Sequence, residues 1–400
     1  MSISPRFLLA GALMFVTASP SLVHAQPIAS LAGAPIPENN GFDLFLQANK
    51  LYEGGLGNAS SLTGTDLLRF QRSTVARNRA ALRKFHEGLA SPVMHPKVTR
   101  TEGDFGEYPE FRKLATLIKD ESAVRYSDGD WVGALNASLD CIEFGVVITR
   151  GGPLKAAEAG RDIEEIGRSI LAPIVSKLSI QECRDAAARL VKIETLRPPY
   201  ADALRVEKNS AVDLTRESFE KLDWTDVVND TKKPNGDSFT ESEKSILNNS
   251  GEDEILANLS KVLDDAIVNA DAVYKPVKPT VGRGSDPWSR MMTDSIAAPN
   301  NRVQYEAERA QNTMLKIALE LRAEKMQTGK YPESIVLPLD PFLNPALATN
   351  TLKYRREGDS YLLYSVGPDT KDDNGKPIEL EPNAELTYTT KGDLVGPVFS

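Results

Sequence analysis

Residues 111–144, FRKLATLIKDESAVRYSDGDWVGALNASLDCIEF, decide how most of this chain folds. Phe111, Leu114, Ala115, Leu117 and Ile118 recur at the three- and four-residue intervals of one helical face, and Trp131, Ala134, Leu135, Leu139, Ile142 and Phe144 line a second. Between them Ser127-Asp128-Gly129-Asp130 is a polar turn. The pattern predicts a helical hairpin of the kind that stacks in solenoids, where each pair buries its apolar stripe on a neighbour.

The same periodicity extends in both directions. Leu67, Phe70, Val75, Ala81, Leu82, Phe85 and Leu89 predict helix over 66–89, and helical pattern starts near Phe42. Gly151-Gly152-Pro153 ends the central hairpin, and a further helical run reaches Leu178. Ser179 with Glu182 forms a capping box, which puts Cys183 in a first helical turn. That helix continues to Leu196, stops at Pro198-Pro199 and is followed by another over 201–222. The polar stretch 226–253 reads as a long exposed loop, and one more helix spans 253–273. Pro276, Pro279, Pro287 and Pro299, with Gly282 and Gly284, mark 275–300 as a linker between domains.

At the N-terminus, residues 1–25 read as a secretory signal peptide: Arg6 is the positive region, residues 7–16 the apolar one and Val23-His24-Ala25 the cleavage site. The expected product is exported, periplasmic or extracellular, with 26–41 as a Pro- and Ala-rich leader. The apolar run is shorter than a span of ~20 residues, so no transmembrane segment is expected after cleavage. The formal net charge of −9 argues against a nucleic-acid partner, which needs clustered Lys and Arg. Of the two cysteines, Cys141 and Cys183, the pattern allows either a single bridge or two small buried hydrophobes.

The last hundred residues change character. A helix over 303–328, with Leu315, Ala318, Leu319, Leu321 and Met326 as its buried side, is stopped by Gly329. Strands over 352–356 and 360–366 are joined by Glu357-Gly358-Asp359, and 385–390 is a candidate third strand. The order Tyr331-Pro332, Asp340-Pro341-Phe342, Asn344-Pro345, Tyr354, residues 361–365 and Gly367-x-Asp369 resembles the C-terminal globular part of type II secretion pseudopilins. Phe342 and Leu343 stand where that family usually has Trp and Gly, and its Gly-Gly pair after the aspartate is missing. Gly41-Phe42-Asp43-Leu44 echoes a prepilin cleavage motif, but Leu46 replaces its Glu and no long apolar helix follows. Gly129-Asp130-Trp131 with Ala134, and Ala203-Leu204-Arg205 with Glu207, resemble exported bacterial proteins that join helical hairpins to a pseudopilin-like tail.

The expected fold is therefore α+β. A mainly helical-hairpin, solenoid-like domain over 42–274 precedes a small module over 301–400, in which a helix packs on an antiparallel sheet. The acidic loop Asp369, Asp372, Asp373 and Asn374 is the candidate metal site, since Ca²⁺ takes six to eight oxygens and pseudopilins hold calcium in the equivalent loop. The competing reading is a solvated turn. His86 and His95 lack metal-ligand spacing, and Glu164 with Glu165 reads as solvated surface on two helix faces. Arg205 and Glu207 read as an ion pair on or between helices. No nucleophile elbow, zinc helix, phosphate loop or dinucleotide fingerprint occurs. These features lead to an extracytoplasmic, non-enzymatic binding or scaffold protein with a protein or peptide partner. The alternative is an exported hydrolase whose carboxylates meet only on folding, which would show a deep pocket with convergent ionisable groups.

Overall fold

The computed structural model describes residues 30–55, 61–98, 106–233, 235–276, 286–296, 299–343, 347, 349–381 and 384–399. The signal-peptide segment, Pro279, Gly282, Gly284 and Asn344-Pro345 lie outside them. The chain is mostly helical with a small three-stranded antiparallel sheet. No helix among the described residues is long and apolar enough to cross a membrane.

The central hairpin forms as its sequence predicts, from α4 (Glu107–Ser127) and α5 (Trp131–Val147). Gly129 takes the left-handed turn at φ +80° and Asp130 caps α5 by accepting from the Gly133 amide. α5 is apolar on two faces and buries both, leaving Val132 and Asn136 exposed and Asp140 and Glu143 half-buried against Arg189. Leu135, Leu139, Ile142 and Val146 face one core, while Ala137, Cys141, Phe144 and Val147 face another.

That second core packs α4 and α5 with α1 (Gly41–Leu51), α3 (Arg79–Leu89) and α6 (Leu154–Arg168), around Phe42, Phe45, Phe85, Phe111 and Phe144. The expected continuous helix over 66–89 is two, α2 (Gly64–Arg77) and α3. Asn78 breaks it: the buried side chain donates to the Gly54 and Thr74 carbonyls and accepts from the Glu53 amide. α6 approaches α5 closely where Gly145 meets Gly160. A Cβ on Gly160 would stand 2.4 Å from the Gly145 carbonyl oxygen. The run expected to reach Leu178 is interrupted after Arg168, and α7 (Leu171–Val175) follows.

The other core face of α5 meets α7, α8 (Ile180–Glu194), α14 (Pro299–Thr328) and the sheet. The capping box at Ser179 and Glu182 is formed. β1 (Lys353–Glu357) and β2 (Ser360–Ser365) make the hairpin, with Gly358 at φ +64° in its turn. The third strand is β3 (Leu394–Val395), not 385–390, whose Thr387, Thr389 and Thr390 hydroxyls fold that segment into a turn. The residues of the tail motif stitch this region together. Tyr331 donates to the Phe399 carbonyl, Tyr354 to that of Pro332 and Tyr361 to that of Pro397. Buried Asp340 accepts from Phe342, Val366 and Ser365.

A third core corrects two expectations. α9 (Tyr200–Lys221) and α12 (Glu252–Asp271) are joined by α10 (Trp224–Asp230) and α11 (Glu241–Asn249), so 226–253 is not one exposed loop. Val228, Phe239 and Leu247 are buried, and Thr240 with Glu243 makes a capping box visible in the sequence itself. Likewise, the expected linker over 275–300 contains α13 (Pro287–Ile296), whose Trp288, Met292 and Ile296 join this core. Proline is tolerated at a helix's first position, because the amide it lacks has no partner there. The boundary is also not a division of packing, since the core formed by α14 and the sheet continues into α5, α7 and α8.

Candidate functional site

A cleft of about 630 Å³ lies where the three cores meet. α6 supplies Glu158, Arg161 and Glu164, the α8–α9 junction Arg197, Pro198 and Pro199, α9 Tyr200, Ala203 and Glu207, and α14 Gln304, Tyr305 and Glu308. Each wall follows from helical spacing: 200, 203 and 207 share a face of α9, as do 305 and 308 on α14.

The floor is a largely buried ionic network that meets the cleft through Glu164, Arg197 and Glu308. Arg197 donates Nη1 to Glu164 Oε1 at 3.0 Å and Nη2 to Glu164 Oε2 at 2.6 Å, and it also grips Glu194 through Nε at 2.9 Å and Nη2 at 2.8 Å. Asn312 donates to both carboxylates at 2.7 Å and accepts from Arg168 Nη1 at 2.9 Å. Arg168 Nη2 donates to Glu308 Oε2 at 2.5 Å. Glu164 is 1% exposed, so it is the reverse of the solvated surface its sequence suggested, whereas Glu165 does point outward. Small residues on α6 make this burial feasible, because Gly160 lets that helix press against α5 and carries Glu164, one turn on, inward.

Burial sets the electrostatics. Glu308 is pushed up to about 7, chiefly by desolvation, with Arg168 pulling it back and Glu164 adding to the rise. Glu194 goes the other way: burial raises it, but the Arg197 charge and hydrogen bonds outweigh this and hold its pKa low. On the walls, Tyr305 donates its hydroxyl to the Pro198 carbonyl, and burial raises its pKa to about 12. Glu207 accepts from the Leu154 amide at 3.0 Å. Pro153, at the N-cap of α6, has no side-chain acceptor to offer, so Glu207 meets one of the amides that a helix start leaves open. Arg205 pairs with Asp202 and Asp271 rather than with Glu207. Asp202 also holds Ser30 and Leu31 of the leader.

None of the sequence-predicted metal residues lines this cleft. Asp369 Oδ1 accepts from the Lys371 amide, and Asp372 Oδ1 from the Asn374 amide and the Tyr364 hydroxyl. Asp373 Oδ2 accepts from the Gly392 amide. Asn374 is turned to φ +60°. Buried Asp393, from beyond the loop, accepts from the Asp373 and Gly375 amides. These oxygens serve the backbone of the turn, and no three His, Cys, Asp or Glu side chains converge to hold a metal among the described residues.

The two remaining histidines are both accounted for. His95 is buried against Phe42 and bonded to the Pro96 carbonyl and the Tyr108 hydroxyl, and desolvation lowers its pKa. His86 lies 3.7 Å from Glu121 and 3.4 Å from Asp140, and its pKa is raised, chiefly by the hydrogen bond to Glu121. Cys141 and Cys183 are unbonded to each other and buried in different cores.

Sequence reasoning missed Glu164, Arg168, Glu194, Arg197, Glu308 and Asn312. Their pairings at i,i+3 and i,i+4 are ordinary on exposed helices, and only Pro198-Pro199 directly after Arg197 marks a place where a helix end must be fixed. No protein-family model matches the chain, and no curated protein or solved structure is significantly similar to it.

Proposed function

We propose that this chain is an extracytoplasmic, non-enzymatic binding protein whose helical hairpins stack in a solenoid-like arrangement and whose cleft receives a short peptide segment of a partner. One observation carries the reading: a cavity of about 630 Å³, within the usual range for ligand sites, has a floor whose charges are already hydrogen-bonded to one another. A preset floor holds its shape while a ligand enters. Tyr200, Tyr305, Pro198 and Pro199 add rigid apolar surface, which costs little side-chain entropy on binding. Export is the contribution of the sequence over 1–25.

The hydrolase reading has two observations in its favour: Glu164, Glu207 and Glu308 converge on one cleft, and a carboxyl titrating near 7, as Glu308 does, suits general acid–base work. Against it, no serine, cysteine or histidine lines the cleft among the described residues, and Thr149 spends its hydroxyl on the Val146 carbonyl. A heptapeptide array probed with the full exported protein tests the choice. Selective retention of intact peptides supports binding. Cleaved peptides, with cleavage lost in Glu308→Gln, would replace the binding reading with the hydrolase.

A further inference from the structure

The hydrogen-bonded groups on the floor of the cleft carry an odd charge. Three carboxylates, Glu164, Glu194 and Glu308, meet two guanidinium groups, Arg168 and Arg197, with Asn312 bridging them. Further along α14, Glu306 is held by Arg309 at 2.8 Å and by Arg302 at 3.7 Å, on the oxygens of its own carboxylate. The surplus can be located. Glu164 and Glu194 use both of their oxygens. Glu308 gives Oε2 to Arg168, while its Oε1 accepts no hydrogen bond from a described residue, and this side chain lines the cleft. The rest of the lining does not reverse the sign, since Glu158, Glu207 and Glu385 stand against Lys155 and Arg161.

We propose that the ligand presents an alkylammonium or guanidinium group to Glu308 Oε1, supplying the cation that the floor lacks, and that its source is a lysine or arginine side chain of the bound peptide. The aliphatic stem then runs along Tyr200, Tyr305 and the two prolines, while the charged head reaches the buried carboxylate. The inference rests on the binding reading and narrows it to basic segments. The free protein offers a rival for the same place: with Glu308 titrating near 7, a proton partly covers the surplus charge at neutral pH. A cation must displace that proton. The groups facing Glu308 are Arg168 and Glu164 from α6, Arg197 after α8, and Asn312 on its own helix.

The test is fluorescence anisotropy of the full chain with a labelled peptide, Gly-Ala-Ala-Lys-Ala-Ala-Gly, against versions with norleucine or glutamate at the centre, at pH 6 and pH 8. Cadaverine is titrated as a competitor and, by calorimetry, alone. The lysine peptide is expected to bind at least about tenfold more tightly than the norleucine peptide at pH 8, and to weaken by about tenfold at pH 6, where a group titrating near 7 is mostly protonated. Glu308→Gln, which keeps an oxygen for Arg168, is expected to lose both preferences. The wild-type pH comparison stands even if that variant fails to fold. Equal binding of lysine and norleucine peptides would overturn the inference and leave the binding reading intact. Binding of cadaverine with no binding of any peptide would keep the cation chemistry but overturn the peptide source. Failure of every peptide and of cadaverine would overturn both readings.

Discussion

Two groups of acidic residues in this molecule have opposite fates. Those of the loop, Asp369, Asp372 and Asp373, lie within five residues and bond the backbone of their own turn or of the adjoining chain. Those of the cleft floor, Glu164, Glu194 and Glu308, are scattered over 144 positions; Glu164 and Glu308 reach arginines of other elements, and Glu194 joins them through the same Arg197. Short range favours turns, because an aspartate reaches amides one or two residues away at small entropic cost. Only long-range packing takes a carboxylate out of water, and that makes its charge costly and its partners obligatory.

Removing the partner of the buried group should have the largest effect. Arg197→Ala strands Glu164 and Glu194, and it is expected to cost about 3–5 kcal/mol in urea unfolding. A loss below about 1 kcal/mol would mean that water reaches the floor and that the contrast with the loop is false.

The pH dependence sharpens the comparison next. The folded-state pKa of Glu308, about 7, lies above its ordinary value of 4.5. Its contribution to stability is therefore full below about pH 4.5 and is lost as pH rises through about 7. Glu194, held low by Arg197, runs the other way, with stability present at higher pH and lost on acidification. The informative quantity is thus the difference between wild type and Glu308→Gln. Over pH 4.5 to 7.5 the wild type should lose on the order of 3 kcal/mol relative to the variant. A flat difference would place Glu308 in ordinary solvent.

The helix contact that carries Glu164 inward comes third. Gly160→Ala forces a Cβ toward the Gly145 carbonyl and should cost about 1–3 kcal/mol, with a lower Tm in calorimetry. No loss of Tm would show that α5 and α6 can separate without harm.

The loop should respond least. Asp369→Ala is expected to change stability by less than about 0.5 kcal/mol, and the melting temperature should be the same in Ca²⁺ as in chelator. A calcium-dependent rise abolished by Asp369→Ala would support the metal reading of the loop instead.

Much of the fold was legible because it depends on neighbours in sequence. The 111–144 hairpin, the Ser179–Glu182 box, the Gly329 stop and the Glu357-Gly358-Asp359 turn are local physics, and all are present. Short elements were less legible. α10, α11 and α13 sit in polar or proline-rich sequence and owe their order to Val228, Leu247 and Trp288 meeting a core built elsewhere. The third strand failed for a related reason, since Leu394 and Val395 are too few to signal a strand until β2 pairs with them.

By itself the sequence determined the helical periods, the caps, the main turns and the acidic balance, because each acts over a few residues or by composition alone. Tertiary structure alone decided that α5 lies between two cores, that Asp202 anchors the leader, and that Glu164, Glu194 and Glu308 share one buried floor with Arg168 and Arg197. The physical reason is desolvation: a glutamate on a helix is the same residue in sequence whether it faces water or a neighbouring helix, and only packing removes the water that would have kept it ordinary.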